Sequence, residues 1–296
     1  MMIPKLPNFI IAGGVATGTS FLSHALSQHN QIYLPKIMRP ECSFFYKSWE
    51  YAKGLQYYSE KYFSEVSKEI AVGERSSLYL HGDFLNVADR IKKELPEVKL
   101  IFCLRNPIER AFANYRFSVL SGFETKSFEK ALKLEDIRFR DSKGWKSEVQ
   151  PNLYRRRGNY FSQLTPFFEK FPLKNLLFIK SEAMNKNPIE TIKTVYDFLE
   201  VEPSSVDFPT NFTSNSVRSR TVQVLLRKYH GESFDQITED VRSSNLKQRT
   251  YSLLNLNSTN RKKMMNQNTR LELREFYKEQ NQALADILGW DLSDWK

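Results

Sequence analysis

Residues 13–20 combine three glycines with three hydroxyl side chains, a composition suited to holding an anion. An apolar run precedes them and a helical pattern follows at once. A glycine-rich turn of this kind leaves unpaired backbone N–H groups at the positive end of the helix dipole, where phosphates commonly bind. Gly13 and Gly18 have the spacing of the G-x-x-x-x-G-K-[ST] loop, but Thr19 occupies the lysine position. The pattern therefore predicts an anion site that suits a triphosphate poorly, with an ordinary strand-to-helix turn as the alternative.

Charged residues also lie at the ends of two further predicted strands. Glu74 and Arg75 follow the run 70–73, and Arg105 follows the run 98–104. In open α/β sheets, ligands bind beyond the carboxyl ends of the strands. An arginine at the start of a helix can hold a phosphate with two hydrogen bonds, although a solvated charge at a strand end is the alternative. Together the loop and Arg105 predict a nucleotide that carries phosphates at both ends.

These residues are positioned by strands that alternate with helices, which predicts an α/β fold with a mostly parallel sheet. No internal repeat or linker interrupts the pattern, so we expect a single domain over residues 1–296. Residues 124–157 are charged and less patterned, and residues 203–260 resist assignment. The predicted strands are 9–12, 70–73, 98–104 and 175–179, and the predicted helices are 21–28, 51–63, 83–95, 107–121, 158–170, 188–199 and 260–288.

Composition restricts the class of partner. The 44 basic and 34 acidic side chains give a net charge of +10, which favours anionic ligands, acidic substrates or nucleic acid. No basic run supports a nucleic-acid-binding arm, so we expect no nucleic-acid partner.

Cys42 and Cys103 are far apart and are expected to be reduced thiols. No apolar stretch is long enough to span a membrane and no signal peptide is evident, so we expect a cytoplasmic protein without a membrane partner. We also find no metal-ligand cluster, and His81 shows no partner spacing.

With this loop and this arginine, the chain resembles the PAPS-dependent sulfotransferases, which transfer a sulfuryl group from 3′-phosphoadenylyl sulfate (PAPS). It is most similar to the branch of bacterial and heparan-sulfate-type enzymes. Two phosphate-binding elements at this separation form a specific signal, and the resemblance covers most of the chain except about 124–150 and 203–260. The segments that carry it are 9–20 (5′-phosphosulfate loop), 104–111 (3′-phosphate element), 39–45, 73–80, 157–160, 175–182 and 271–290.

The resemblance implies a P-loop-like sulfotransferase fold, a PAPS-binding site and a general base. Glu41 matches the glutamate that takes the acceptor proton. The implied donor-binding residues are Ala16, Thr17, Gly18, Thr19 and Ser20 in the loop, followed by Arg105, Ala113, Arg157 and Arg218.

Two positions depart from the family pattern. Ala16 stands where a lysine usually bridges the departing phosphate and the sulfuryl group, so Lys36, Arg39 or Arg75 is expected to supply the missing cation. Ala113 stands where a serine assists Arg105 at the 3′-phosphate. Arg157, and with less support Arg218 or Arg220, would then provide more of that contact.

Three functional hypotheses follow. The first is a sulfotransferase that moves the sulfuryl group to a hydroxyl or amine of a small molecule, leaves PAP as product and needs no metal. The second is the same chemistry on a saccharide or another polyanion, which the charge of +10 favours. The third is a protein that binds PAPS or PAP without turnover because Ala16 has replaced the lysine. A P-loop kinase is a more distant alternative.

Overall fold

The computed structural model describes residues 4–36, 41–208 and 265–295. Within them, parallel pairing joins five strands into one sheet. The strands are β1 (Phe9–Gly13), β2 (Ile32–Tyr33), β3 (Ala71–Arg75), β4 (Lys99–Leu104) and β5 (Leu176–Lys180), in the order β2-β3-β1-β4-β5. The predicted α/β fold with a parallel sheet is confirmed. The candidate residues Arg39, Arg218 and Arg220 lie outside the described residues.

Helices connect and flank these strands. The α-helices are α1 (Thr19–Leu26), α2 (Ser48–Tyr51), α3 (Gly54–Phe63), α4 (Val87–Glu94), α5 (Pro107–Leu120), α6 (Phe128–Lys133), α7 (Glu135–Asp141), α8 (Trp145–Val149), α9 (Tyr160–Lys170), α10 (Ser181–Lys186), α11 (Pro188–Leu199) and α12 (Gln267–Leu288). Shorter 3₁₀ helices lie at Tyr79–His81, Asp83–Leu85, Arg156–Gly158 and Leu173–Asn175.

The central strand β1 is buried on both faces. Ile10 and Ala12 belong to the apolar cluster that includes residues of α3, α4 and α9. Phe9 and Ile11 belong to the opposite cluster, which includes residues of α1 and α11. Successive side chains of a strand point to opposite faces, and strands covered on both faces are therefore apolar throughout. This burial explains why the apolar run before the loop reads so clearly in the sequence.

The described residues divide into two compact units. The first contains the residues up to Pro107, Asn159–Phe208 and the residues from Lys278 onward, and it includes the whole sheet. The second contains Ile108–Gly158 and residues 265–277 and has its own apolar cluster. The expectation of a single domain stays a prediction.

One expectation about local structure was wrong, and one region received no assignment from the sequence. The helix expected over 83–95 is a 3₁₀ turn followed by α4, and Asn86 between them has a positive φ of 55° that interrupts the helix. The weakly patterned region 124–157 contains the short helices α6, α7 and α8. Each of them is too short for a helical period to stand out in the sequence.

Candidate active site

The glycine-rich loop closes on itself through Thr17. The Thr17 hydroxyl accepts a hydrogen bond from the Gly14 N–H at 2.9 Å and donates one to the Gly14 carbonyl at 2.6 Å. Gly18 has φ 95° at the start of α1, a conformation that favours glycine, and a Cβ there would lie 2.5 Å from the Met184 methyl group. The loop therefore has a fixed shape, and the Thr17 hydroxyl contributes to that shape.

The same loop leaves backbone donors available. Among the described residues, the N–H groups from Ala16 to Ser20 have no hydrogen-bond partner. They lie at the N-terminus of α1, where the partial positive charge of the helix is concentrated. Ala16, Thr17, Gly18, Thr19 and Ser20 thus form a turn at the carboxyl end of β1 whose backbone donors have the arrangement that an anion requires.

Arg75 connects this loop to the candidate base. It is the last residue of β3, which pairs with β1 so that Arg75 lies beside Ile11. Its Nη1 donates to the Ser20 hydroxyl at 2.6 Å and lies 3.1 Å from Oε1 of Glu41. The arginine is 6% exposed. The pairing of two neighbouring parallel strands therefore brings a buried cation to the loop.

Glu41 is held on both of its oxygens. Oε2 accepts from the Ser77 N–H at 2.6 Å and from the Ser77 hydroxyl at 2.8 Å, while Oε1 faces Arg75. A carboxylate offers about four lone pairs. Three of them are used here, which leaves one on Oε1 to accept a proton. The Glu41 side chain as a whole is 20% exposed.

The structure does not bring Lys36 to this group. Its ammonium pairs with Glu65 at 2.6 Å, and the lysine side chain is 83% exposed. Of the cations expected to replace the missing lysine, Arg75 lies at the loop, and Arg39 is outside the described residues.

Behind Arg75 lies a buried carboxyl that the sequence did not single out as functional. Glu74 is fully buried, and its Oε1 accepts hydrogen bonds from Tyr58 at 2.6 Å and Tyr79 at 2.7 Å. The Cys42 thiol also lies near this carboxyl. Burial raises the pKa of Glu74 to about 7, because removal from water disfavours the charged form. The available sequence signal was a glutamate that directly follows the apolar run 70–73.

Arg105 also contacts the loop. Its Nη1 donates to the Ala16 carbonyl at 3.3 Å, and its own carbonyl accepts from the Tyr160 hydroxyl at 2.9 Å. The next residue, Asn106, donates its backbone N–H to Glu182 at 2.8 Å. The ends of β4 and β5 are therefore linked at the edge of the sheet where the loop lies.

His81 is a further loop contact that sequence patterning missed. Its Nε2 accepts the Val15 N–H at 3.2 Å, and its Nδ1 lies 2.9 Å from Oε1 of Gln163. Val15 and His81 are 66 residues apart. No local spacing could have revealed such a contact.

Two further expected donor-binding residues, Ala113 and Arg157, lie in the second unit. Arg157 is 4% exposed; its Nη2 donates to the carbonyls of Val149 at 2.8 Å and Gln150 at 3.1 Å, and its Nη1 to Asn114 at 3.4 Å. Asn114 follows Ala113 in α5. The guanidinium of Arg157 is therefore oriented by backbone carbonyls and by the residue next to Ala113.

A buried carboxylate holds the segment that leads to Arg157. Glu135, fully buried at the start of α7, accepts the backbone N–H groups of Tyr154, Arg155 and Arg156 at 2.7–3.0 Å. A carboxylate that accepts several backbone donors makes strong, charge-assisted hydrogen bonds. The weakly patterned region 124–157 thus contributes to the position of Arg157.

Two kinds of feature are absent from the described parts of the chain. No group of three or more His, Cys, Asp or Glu residues there is arranged to hold a metal ion. Nor does any helix there combine the length and apolar character that crossing a bilayer would require.

The chain belongs to the sulfotransferase family, because the family model for the sulfotransferase domain matches residues 6–294. Members of this family take the sulfuryl group from PAPS. Among solved structures, a sulfotransferase from Alicyclobacillus acidocaldarius matches with a TM-score of 0.71 and 24% sequence identity, covering 98% of this chain and 99% of that one. That likeness supports the P-loop-like sulfotransferase fold expected from the sequence, and the family expectation is confirmed.

Curated relatives match over part of their length. Mouse heparan sulfate glucosamine 3-O-sulfotransferase 5 is 26% identical over 212 residues, which are 68% of this chain and 56% of that protein. The bifunctional heparan sulfate N-deacetylase/N-sulfotransferase 1 of Caenorhabditis briggsae is 23% identical over 80% of this chain and 28% of its own length. Membrane-associated sulfotransferase kil1 of Dictyostelium discoideum is 32% identical over 38% of this chain and 23% of its own length. The matches therefore span between 23% and 56% of these three relatives.

Proposed function

We propose that this chain transfers a sulfuryl group from PAPS to a hydroxyl or amine of a small-molecule acceptor, with PAP as the second product. The observation that carries the proposal is the position of Arg75, which joins Ser20 of the anion-binding loop to Glu41. A donor-binding loop, a buried cation and a carboxylate base are then contiguous. Sulfuryl transfer needs these three functions, because charge must be held on the leaving group and a proton must be removed from the acceptor.

The reaction is an in-line displacement at sulfur. The acceptor oxygen or nitrogen forms a bond to sulfur while the bond from sulfur to the bridging oxygen of the 5′-phosphate breaks. The electron pair of that bond remains on the phosphate, and Glu41 Oε1 takes the acceptor proton. The N–H groups of residues 16–20 stabilise the leaving phosphate more strongly as its negative charge grows.

Arg75 takes the role of the lysine that the family usually has at the position of Ala16. Its guanidinium carries a permanent positive charge and donates in two directions, to Ser20 and to Glu41. It therefore stabilises charge near the loop and also orients the base. Lys36, paired with Glu65 at the surface, has no part in this proposal.

The test of the base is a pair of glutamate variants. Glu41→Gln removes the proton acceptor while keeping the shape of the side chain, and it is expected to lower turnover ~10²–10⁴-fold, the usual contribution of general-base catalysis. PAP affinity, measured by calorimetry, should stay within about threefold of wild type, since the loop donors are unchanged. Glu60→Gln, an exposed position on α3, is the matched control. Unchanged turnover in Glu41→Gln would show that Glu41 is not the base.

The acceptor class has a second candidate. The net charge of +10 and the heparan sulfate enzymes among the relatives favour a saccharide or another polyanionic acceptor. Transfer to unsulfated heparosan oligosaccharides should be compared with transfer to a panel of small phenols, alcohols and amines. A small-molecule enzyme modifies members of the panel and is little affected by salt. Transfer confined to the oligosaccharides, with a rate that falls steeply with salt, supports the second candidate.

A protein that binds PAP without turnover is the third candidate. The replacement of the family lysine by Ala16 is the observation that favours it. Calorimetric binding of PAP together with no transfer to either acceptor class would support this candidate over the enzyme. Binding of ATP with Mg²⁺ and no binding of PAP would instead support a P-loop kinase.

A further inference from the structure

His81 is buried against the anion-binding loop although it does not belong to it. It ends the 3₁₀ helix Tyr79–His81 and is 3% exposed. A Cβ at Gly14 would lie 3.6 Å from Cε1 of the imidazole, so the ring packs directly on the loop. Its Nε2 accepts the backbone N–H of Val15 at 3.2 Å. The histidine therefore fixes the peptide group that precedes the run of available N–H donors.

The partners of the ring define one tautomer. A backbone N–H can only donate, so Nε2 must carry a lone pair toward Val15. The proton of the neutral ring is then on Nδ1, which donates to Oε1 of Gln163 at 2.9 Å. Gln163 in α9 thereby selects the tautomer that binds Val15. Protonation of Nε2 would place two donors against each other and break this contact.

The residue next to Val15 needs such support. Ala16 has φ 65°, in the left-handed region where an L residue with a Cβ is strained. His81 holds the N–H of Val15 on one side of Ala16, and Arg105 holds the Ala16 carbonyl on the other. The side chains of two separate segments thus clamp the strained turn from which the following N–H groups point outward. The clamp orients those donors before any anion binds.

We propose that His81 is a positioning residue for the donor: as the neutral Nδ1–H tautomer it holds the loop in its anion-binding shape. The inference rests on the proposed function for the identity of the ligand, and its tautomer can be tested without any ligand. Loss of this contact weakens PAPS and PAP binding and leaves the acceptor site unaffected.

Two conservative variants separate positioning from packing. In His81→Gln, the side-chain oxygen lies near the place of Nε2 and can still accept the Val15 N–H. In His81→Asn, the amide lies near the place of Nδ1 and cannot reach Val15. We expect His81→Asn to bind PAP ~3–10-fold more weakly in calorimetry and to raise the KM for PAPS by a similar factor, with the acceptor KM unchanged. His81→Gln is expected to stay within about twofold of wild type in both measurements.

Equal PAP affinity in wild type and in both variants would overturn the proposal, and so would equal losses in both variants. A nitrogen-15 spectrum of the histidine rings in unliganded protein provides the independent readout, with the His81 signals assigned by their absence from His81→Gln. We expect a protonated Nδ1 and an unprotonated Nε2, and the opposite pattern would overturn the inference even in a protein that binds PAP. Failure of wild-type protein to bind PAP, with the expected tautomer present, would instead count against the proposed function.

Discussion

Replacing Arg75 by methionine removes the connection between the loop and the base while keeping a side chain of similar length. The substitution deletes the 2.6 Å hydrogen bond to Ser20 and the 3.1 Å contact with Glu41. A hydrogen bond to a charged group contributes about 1.5–3 kcal/mol. Because the Glu41 side chain is 20% exposed, water replaces part of its lost partner. A total loss of about 2–4 kcal/mol is therefore expected, which corresponds to a ~30- to 1000-fold lower turnover.

The assay follows turnover with radiolabelled PAPS, together with PAP affinity by calorimetry and the unfolding temperature. Arg75→Lys keeps the charge on a shorter side chain without the planar guanidinium, so a smaller loss of ~10-fold is expected. Arg274→Met, at an exposed position of α12, controls for loss of one positive charge. Turnover of Arg75→Met within about threefold of wild type, with the fold intact, would refute the assignment of Arg75 as the replacement cation.

Three further predictions concern Glu74, Ala16 and Glu135. The Glu74 carboxyl, with a folded pKa of about 7 against an ordinary 4.5, binds a proton in the folded state that the unfolded chain has released. The protonated carboxyl therefore favours folding below pH 4.5, and a free energy of unfolding on the order of 3 kcal/mol is lost as the pH rises to 7. In urea unfolding, the stability of wild type should fall over this pH window more than that of Glu74→Gln. Equal slopes in the two proteins would contradict the prediction. Ala16→Lys is expected to raise turnover and to keep PAP affinity within about threefold of wild type. Binding is kept because lysine and alanine have similar backbone strain at φ 65°. Loss of PAP binding in this variant would contradict the prediction. Glu135→Ala leaves three backbone donors without their carboxylate and should destabilise the protein by about 2–4 kcal/mol. The exposed control Asp141→Ala should change stability by less than about 0.5 kcal/mol. Equal effects of the two substitutions would contradict the assigned role of Glu135.

Local features of the fold and site could be predicted from the sequence. The apolar run before Gly13 predicted β1 because both faces of that strand are buried. Glycine and hydroxyl residues predicted the loop because Gly18 must adopt a positive φ there. The position of Arg105 after β4 was also evident in the sequence, because the strand and the following helix each have a clear pattern.

Long-range features could not be predicted in this way. The register that places Arg75 beside Ile11 depends on the pairing of two strands about sixty residues apart in sequence, which no local pattern specifies. Consequently the sequence offered Lys36, Arg39 and Arg75 as equal candidates for the missing cation. The contacts of His81 with Val15 and of Glu135 with residues 154–156 depend on tertiary structure in the same way.

The most direct test of the central claim is transfer of radiolabelled sulfuryl from PAPS to acceptors by the wild-type chain, with PAP formation measured in the same reaction. We predict labelled product and PAP in equal amounts, and loss of both in Glu41→Gln although PAP still binds. The absence of label transfer across both acceptor classes, together with no calorimetric binding of PAP, would contradict it.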